Sequence, residues 1–422
     1  MQPKFSYGKI FLLGFGFFGV SVIWGTYNAF VPIFLSQKFG LAAGWVGFFM
    51  TLDNIAALLI QPPVGAWSDK LRTPIGRRMP FILVGAPIGA IAFGLIPIAS
   101  ALPLFVACTS TLLLSMAFWR TPVVALMPDI TPSKYRSQAN GIINFMGGVG
   151  AIVSFLAGSA LYRMNEAYPF WLGSALVIIA ALLVFAFIRE PKEYNETPEE
   201  TPGILASLKE VLQDEDKSAI RLLLAIFFWF VGYNAIEAFF TLYAVNRLGL
   251  DAADGAALLG HLSLFFVLFA LVAGFIGSRI GRRVTISIGL GLLIALLVGI
   301  YLLPPETLAA PLSKVPVLGT VRIISLFLMS AGVAWALINI NSLPMVVDMV
   351  TLARVGTFTG LYYLFSTLAA IAGPNINGLI IQFSGNNYNT IMLFSPIFMA
   401  IALILMWGVR RGEVSPDAVP ET

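Results

Sequence analysis

The chain has 422 residues, of which 58% are hydrophobic and only 11% charged, with 25 Lys and Arg against 21 Asp and Glu. A soluble domain carries about 25% charged residues, so a chain of this size with so few cannot cover a water-facing surface. The single cysteine, Cys108, and the single histidine, His261, exclude an intrachain disulfide and argue against a thiolate or imidazole metal centre. No metal and no organic cofactor is expected. The basic excess of so apolar a chain reports topology before it reports nucleic acid, and no nucleic-acid partner is expected.

Taken in chain order, apolar runs bounded by charges or turn residues predict twelve membrane spans near 10–35, 42–67, 80–100, 103–127, 138–162, 168–188, 220–246, 254–278, 283–303, 321–346, 356–381 and 390–409. Each is long enough to cross a hydrocarbon core of about 30 Å. Barrel strands would need short alternating segments, which are absent, so the expected fold class is an all-α polytopic membrane protein of two six-helix bundles. The first run, from Ile10 to Phe34, is too long for a signal-peptide core and reads as a retained helix.

With both termini placed inside, nineteen of the 25 basic residues fall on inner segments, and only Lys38, Arg163, Arg247, Lys314 and Arg322 fall outside. Arg120 stays within a span. That bias predicts cytoplasmic termini and an even number of spans, with the chain in a cytoplasmic, inner membrane among its lipids. Three parts are expected: residues 1–188 as a first bundle, 189–219 as a cytoplasmic linker, and 220–422 as a second bundle. Within the linker Leu205, Leu208, Val211 and Leu212 recur at helical spacing, which predicts a short amphipathic helix on the cytoplasmic surface.

The halves repeat. Asp129 precedes Gly141 after span four as Asp348 precedes Gly360 after span ten, with Arg136 and Arg354 between them. Gly76-Arg77-Arg78 is matched by Gly281-Arg282-Arg283, and GTYNA from Gly25 by GYNA from Gly232. A parallel six-plus-six repeat is the architecture in which a solute site lies between two bundles that rock around it. A carrier is therefore favoured over a channel.

The stretch GAWSDKLRTPIGRR, from Gly65 to Arg78, resembles the signature loop of the major facilitator superfamily, and GSRIGRR from Gly277 is a degraded copy with Ser278 in the acidic position. The resemblance implies a cytoplasmic gate built from Asp69, Arg77, Arg78, Asp129, Arg136, Arg282, Arg283 and Asp348. Its arginines are expected to bind carbonyls or carboxylates across the bundle interface. A narrower resemblance follows. QPPVGAWSDKLRTPIGRRMPFI, from Gln61, with PVVALMPD, from Pro122, and QANGIINF, from Gln138, is similar to the sucrose/proton symporters of the glycoside–cation grouping. It departs where that family's span-four arginine falls on Val124 and its upstream acid near Leu113. Arg120, one helical turn before Val124, presents a guanidinium on the same face.

An ionisable group at mid-bilayer costs at least about 2.5–3.5 kcal/mol and is a functional hypothesis by default. Asp53, Arg120, Glu237 and His261 qualify. Asp53, Glu237 and Arg120 are the candidates for proton coupling, with Na⁺ as the alternative ion. His261 is the weakest of the four, since a histidine near an interface often finds a backbone partner. Candidate solute-binding residues are Tyr27, Asn28, Asp53, Arg120, Asn144, Asn234, Glu237, Trp335, Asn339 and Tyr362, because sugars pair hydroxyl rims with carboxylates and amides and ring faces with aromatics. The repeat offset sets Arg120 opposite Asn339. The expected function is proton-coupled symport of a glycoside or similar small polar solute by a monomer. The alternative keeps the fold and exports a drug or amphipathic metabolite by proton antiport, the 34 Phe residues supplying a greasy pocket. No nucleophile–base pair or phosphate loop appears, so an enzyme is not expected.

Overall fold

The computed structural model describes residues 7–131, 136–190, 204–350 and 354–413. Helix α1, Tyr7–Ile33, runs on through a wider π-helical turn, Phe34–Lys38. It is followed by α2 (Ala43–Phe49), α3 (Leu52–Lys70), α4 (Met79–Leu95), α5 (Leu102–Ile130), α6 (Arg136–Met164), α7 (Tyr168–Phe187) and α8 (Ile204–Gln213). The second half holds α9 (Ser218–Asn246), α10 (Ala252–Ile280), α11 (Arg282–Leu302), α12 (Pro305–Ala309), a hairpin of β1 (Pro311–Val315) and β2 (Gly319–Arg322), α13 (Ile323–Val347), α14 (Val355–Phe383) and α15 (Ile391–Trp407).

Among the described residues eleven segments are long and apolar enough to cross a membrane, and the 17-residue α4 is a shorter apolar helix. These make the twelve crossings of an integral multi-pass protein. Helices dominate because a backbone in hydrocarbon must satisfy its own hydrogen bonds. The face on which α1 begins and α15 ends is the terminal face, and the opposite one the far face.

In the first half α1 packs on α6 and α7, α4 on α5 and α7, and α3 on α5. In the second, α9 packs on α14 and α15, α10 on α13, and α11 on α13 and α15. The halves meet where α6 lies against α10, α2 against α14, and α1 against α9. Small residues bring the helices close, as expected where lipid offers no competing drive for association. A Cβ on Gly47 would lie 2.3 Å from the Pro374 carbonyl oxygen, and one on Gly378 would lie 2.6 Å from that of Ala43.

Three expectations change. The second span is not one helix: it breaks at Met50-Thr51, where the Thr51 hydroxyl turns back to donate to the Phe48 carbonyl at 2.8 Å. The linker helix α8 rests on α14 and α9 rather than on lipid alone, with Val211 buried and Leu208 partly buried against the core, while Leu212 is exposed. The segment between spans nine and ten, for which no regular structure was predicted, contains α12 and the hairpin, paired in register Lys314 with Thr320 and Val315 with Gly319. Lys4, Lys134 and Lys192 lie outside the described residues, as do the side chains of Leu205 and Arg136.

Candidate functional site

The break in the second span places an acid where a continuous helix would not. Asp53 falls in the first turn of α3, so its carboxylate faces the partial positive end of a helix that begins inside the membrane. Asn54 adds a hydrogen bond from its side-chain Nδ2 to Asp53 Oδ1 at 2.8 Å. Discontinuous helices of this kind are a known way to build a site near the midplane.

From the second half, Glu237 on α9 answers it. Asn28 Nδ2 on α1 donates to Glu237 Oε1 at 3.0 Å, a hydrogen bond that crosses the seam between the halves. The charges of Arg120 and Glu237 both act on Asp53, and Tyr363 of α14 lies within reach of the Arg120 charge. Arg120 sits well inside α5 with its side chain not packed away, and its reach to Asp53 of its own half and Tyr363 of the other sets it between the halves. Next to Glu237 is a small cavity of ≈ 180 Å³ walled by Gly148, Phe155, Leu259, Leu262, Phe266, Val267 and Trp335. Trp335 stacks on Tyr233 at 3.9 Å between centroids and 5° between planes.

Other candidates are placed differently. Tyr27 is buried (2% exposed) and set edge-on to Trp24 within the first half, so its ring is packing surface. Tyr362 is buried too, with its hydroxyl 3.1 Å from Ser342 Oγ inside the second half. The repeat equivalent of Asn28, Asn234, bonds back to the Phe230 carbonyl of its own helix at 2.7 Å. Exposed Asn144 does the same to Asn140 at 2.9 Å. Asn339 is half-buried, and its carbonyl takes the Ser342 hydroxyl at 2.8 Å. Asn341 ties α13 to α10 through the Ala273 carbonyl at 3.1 Å. It serves helix packing.

On the terminal face, Arg77 reaches Asp129 at 2.7 Å, and Arg78 bonds Asp129 at 3.0 Å together with Ser68 and Asp69. In the second half Arg282 pairs with Asp348 and donates to the Pro344 carbonyl at 3.0 Å, while Arg283 donates to the Trp407 carbonyl at 3.0 Å. These contacts lie within one half each, not across the interface as expected. The halves are joined at the far face instead. There Arg163 of α6 pairs with Asp254 of α10, Asn375 of α14 donates to Thr51 Oγ at 3.0 Å, and the Gly44 amide donates to Gln382 Oε1 at 3.2 Å.

Two acids escaped the sequence reading. Glu190 accepts the backbone N–H groups of Arg77, Arg78 and Met79 at 2.8–3.0 Å, closing the N-terminus of α4. Glu413 accepts those of Arg282 and Arg283 at 2.7 and 3.1 Å at the N-terminus of α11. Each follows a basic pair or residue just past the last span of its half, in Arg189-Glu190 and Arg410-Arg411-Gly412-Glu413. That repeated position was the signal available.

Two helical halves of repeated sequence, joined at one face around facing carboxylates, define a membrane carrier. The Major Facilitator Superfamily matches residues 13–343, and the chain belongs to that family. Among curated relatives, multidrug resistance protein 2 of Bacillus subtilis (strain 168) is 21% identical over 404 residues, covering 94% of each chain. Multidrug resistance protein 1 of the same organism is 25% identical over 225 residues, 53% of this chain and 56% of the relative, so the match spans about half of that protein. Sucrose transport protein SUC3 of Arabidopsis thaliana is 26% identical over 192 residues, 40% of this chain and 32% of the relative. Among solved structures, a bacterial homologue of the human lysosomal transporter Spinster, inward-facing and occupied, aligns with a TM-score of 0.75 at 15% identity over 97% of this chain and 98% of its own. A point mutant of the nucleoside transporter NupG aligns at 0.73 with 17% identity, over 95% and 98%. These likenesses establish the fold. The family and its structural neighbours are transporters, not enzymes.

Proposed function

We propose that the protein is a proton-coupled secondary transporter that carries a sugar, glycoside or similar small polar solute in symport by alternating access. The observation that carries this reading is the Asn28–Glu237 hydrogen bond across the seam, beside Asp53 and Arg120. A carboxylate shared between two rigid bodies responds to a proton: ionised, it only accepts hydrogen bonds, and protonated it gives up part of its pull on the opposite amide. Proton binding at Glu237 or Asp53 thereby biases the two halves toward separation at that level, and solute hydroxyls replace the lost partners. Arg120 compensates the charge of Asp53 when no proton is bound. Na⁺ is the alternative coupling ion. The carrier works as a monomer in a cytoplasmic membrane, both termini inside, with the terminal face cytoplasmic. The Asp69, Arg77, Arg78 and Asp129 cluster, with Arg136, then forms the inner gate, mirrored by Arg282, Arg283 and Asp348.

A second reading is favoured by the cavity beside Glu237, whose walls are apolar and aromatic around one acid. Such a pocket suits the ring and charge of an amphipathic cation, and the full-length likeness to a multidrug resistance protein supports export by proton antiport. A thermal-shift panel on the purified protein separates the two. Stabilisation by disaccharides supports symport of a polar solute, and stabilisation by lipophilic cations alone supports export.

A further inference from the structure

The buried histidine takes no part in the proposed site, yet it has a specific partner. His261, fully enclosed in α10, lies 2.9 Å by its Nε2 from the carbonyl oxygen of Leu318 at the turn of the β1–β2 hairpin. A carbonyl only accepts, so Nε2 carries the hydrogen and donates. The base of the same hairpin is held by α10 as well, through Arg322 donating to Asp254 Oδ2 at 2.8 Å. Asp254 and His261 are about two helical turns apart, roughly 10 Å along α10, a span that the chain from Leu318 through β2 to Arg322 covers.

Held at both ends on one helix, the hairpin lies along the far-face end of α10. It also borders the other half: Lys314 to Thr320 share a cleft of ≈ 490 Å³ with Leu156, Ser159 and Arg163 of α6. That is the seam where α6 and α10 touch and where Arg163 meets Asp254. The turn itself is tightly specified, with Val317 and Gly319 at φ +72° and +75°.

We propose that His261 is a positioning residue that pins the β1–β2 hairpin over the α6–α10 seam and so keeps the far end of the solute path closed. The hairpin is a strap built into the second half, and the Leu318 carbonyl is the point where it is fastened. When the far face opens, the Arg163–Asp254 pair parts while the strap leaves with α10. Without the His261 hydrogen bond the strap lifts, and the seam beneath it admits water. The inference rests on alternating access, but its test needs no solute and no proton gradient.

The experiment follows a cysteine introduced at Ser159, buried under the strap, in a Cys108→Ser background, labelled from outside by a membrane-impermeant maleimide. His261→Ala and His261→Phe are expected to raise the labelling rate by about 2- to 10-fold, the factor that one ordinary hydrogen bond supports. His261→Gln, whose amide nitrogen reaches the same position, is expected to restore the slow rate. Gly319→Ile strains the turn without touching α10 and is expected to give the same rise as His261→Ala. Unchanged labelling in His261→Ala, or fast labelling in His261→Gln, overturns the proposal. So does slow labelling in Gly319→Ile.

Discussion

Asn28 Nδ2 donates to Glu237 Oε1 across 3.0 Å, joining α1 of the first half to α9 of the second. The bond sits beside Asp53 and Arg120, so the charges singled out in the sequence converge where the halves exchange a hydrogen bond deep in the membrane. A hydrogen bond to an ionised group contributes about 1.5–3 kcal/mol, and every 1.4 kcal/mol is a factor of ten. Asn28→Ala is therefore expected to lower gradient-driven uptake by about 10- to 100-fold. Glu237→Gln is expected to abolish accumulation while leaving solute exchange without a gradient. Paired uptake and counterflow assays in liposomes measure both.

The far-face contact depends on the absence of a side chain at Gly47, whose added Cβ would fall 2.3 Å from the Pro374 carbonyl oxygen. Neither a backbone oxygen nor a helix axis can shift cheaply, so Gly47→Leu forces α2 and α14 apart. Spin labels at the exposed Trp45 and Phe383 positions are expected to report a longer-distance population in this variant than in the native protein.

Glu190 and Glu413 close the N-termini of α4 and α11 with three and two backbone N–H groups respectively. Removing an N-terminal acceptor costs about 1–2 kcal/mol. Melting temperatures in detergent are expected to fall in the order native, Glu190→Gln, Glu190→Ala. Glu413→Ala, which gives up fewer bonds, is expected to fall between native and Glu190→Ala.

Between α8 and α9, Arg411 binds Asp214 and Asp216 at 2.6 Å each. The Arg411 hydrogen bond holds the Asp214 carboxyl below its ordinary range, and the Ser218 hydroxyl does the same for Asp216. Arg411 is raised in turn, chiefly by its bond to Asp214. Folded-state acids depressed in this way contribute stability above their unfolded values and lose it as pH falls through the folded ones. Hydrogen exchange of residues 213–218 is therefore expected to quicken once pH drops below the carboxylate range, and also in molar salt at neutral pH, because both groups are exposed and screened. Exchange in α9 beyond its first turn is expected to stay unchanged.

Much of this architecture was legible in the sequence because hydrocarbon demands long apolar helices and leaves few residues with a reason to be charged. Asp53, Arg120 and Glu237 stood out on that ground alone. The break after α2 did not, since Met50-Thr51 is as apolar as a continuing helix and only the Thr51 hydroxyl turning back on Phe48 reveals it. Nor did direction. Tyr27 and Asn28 are neighbours at one motif, yet Tyr27 is enclosed while Asn28 reaches across the seam, a difference set by α6 packing on α1 through Thr26 and Ser154 at 3.0 Å. The gate arginines were legible as residues but not in their partners: Arg77 and Arg78 find Asp129 within their own half.

The central claim is that a proton gradient drives solute through a site shared by the two halves. Purified protein in liposomes, given an inward proton gradient and a labelled disaccharide, tests it most directly. The account predicts accumulation above the outside concentration, collapse of that accumulation by a protonophore, and its loss in Glu237→Gln. Equilibration without accumulation, or accumulation that persists in Glu237→Gln, would contradict it.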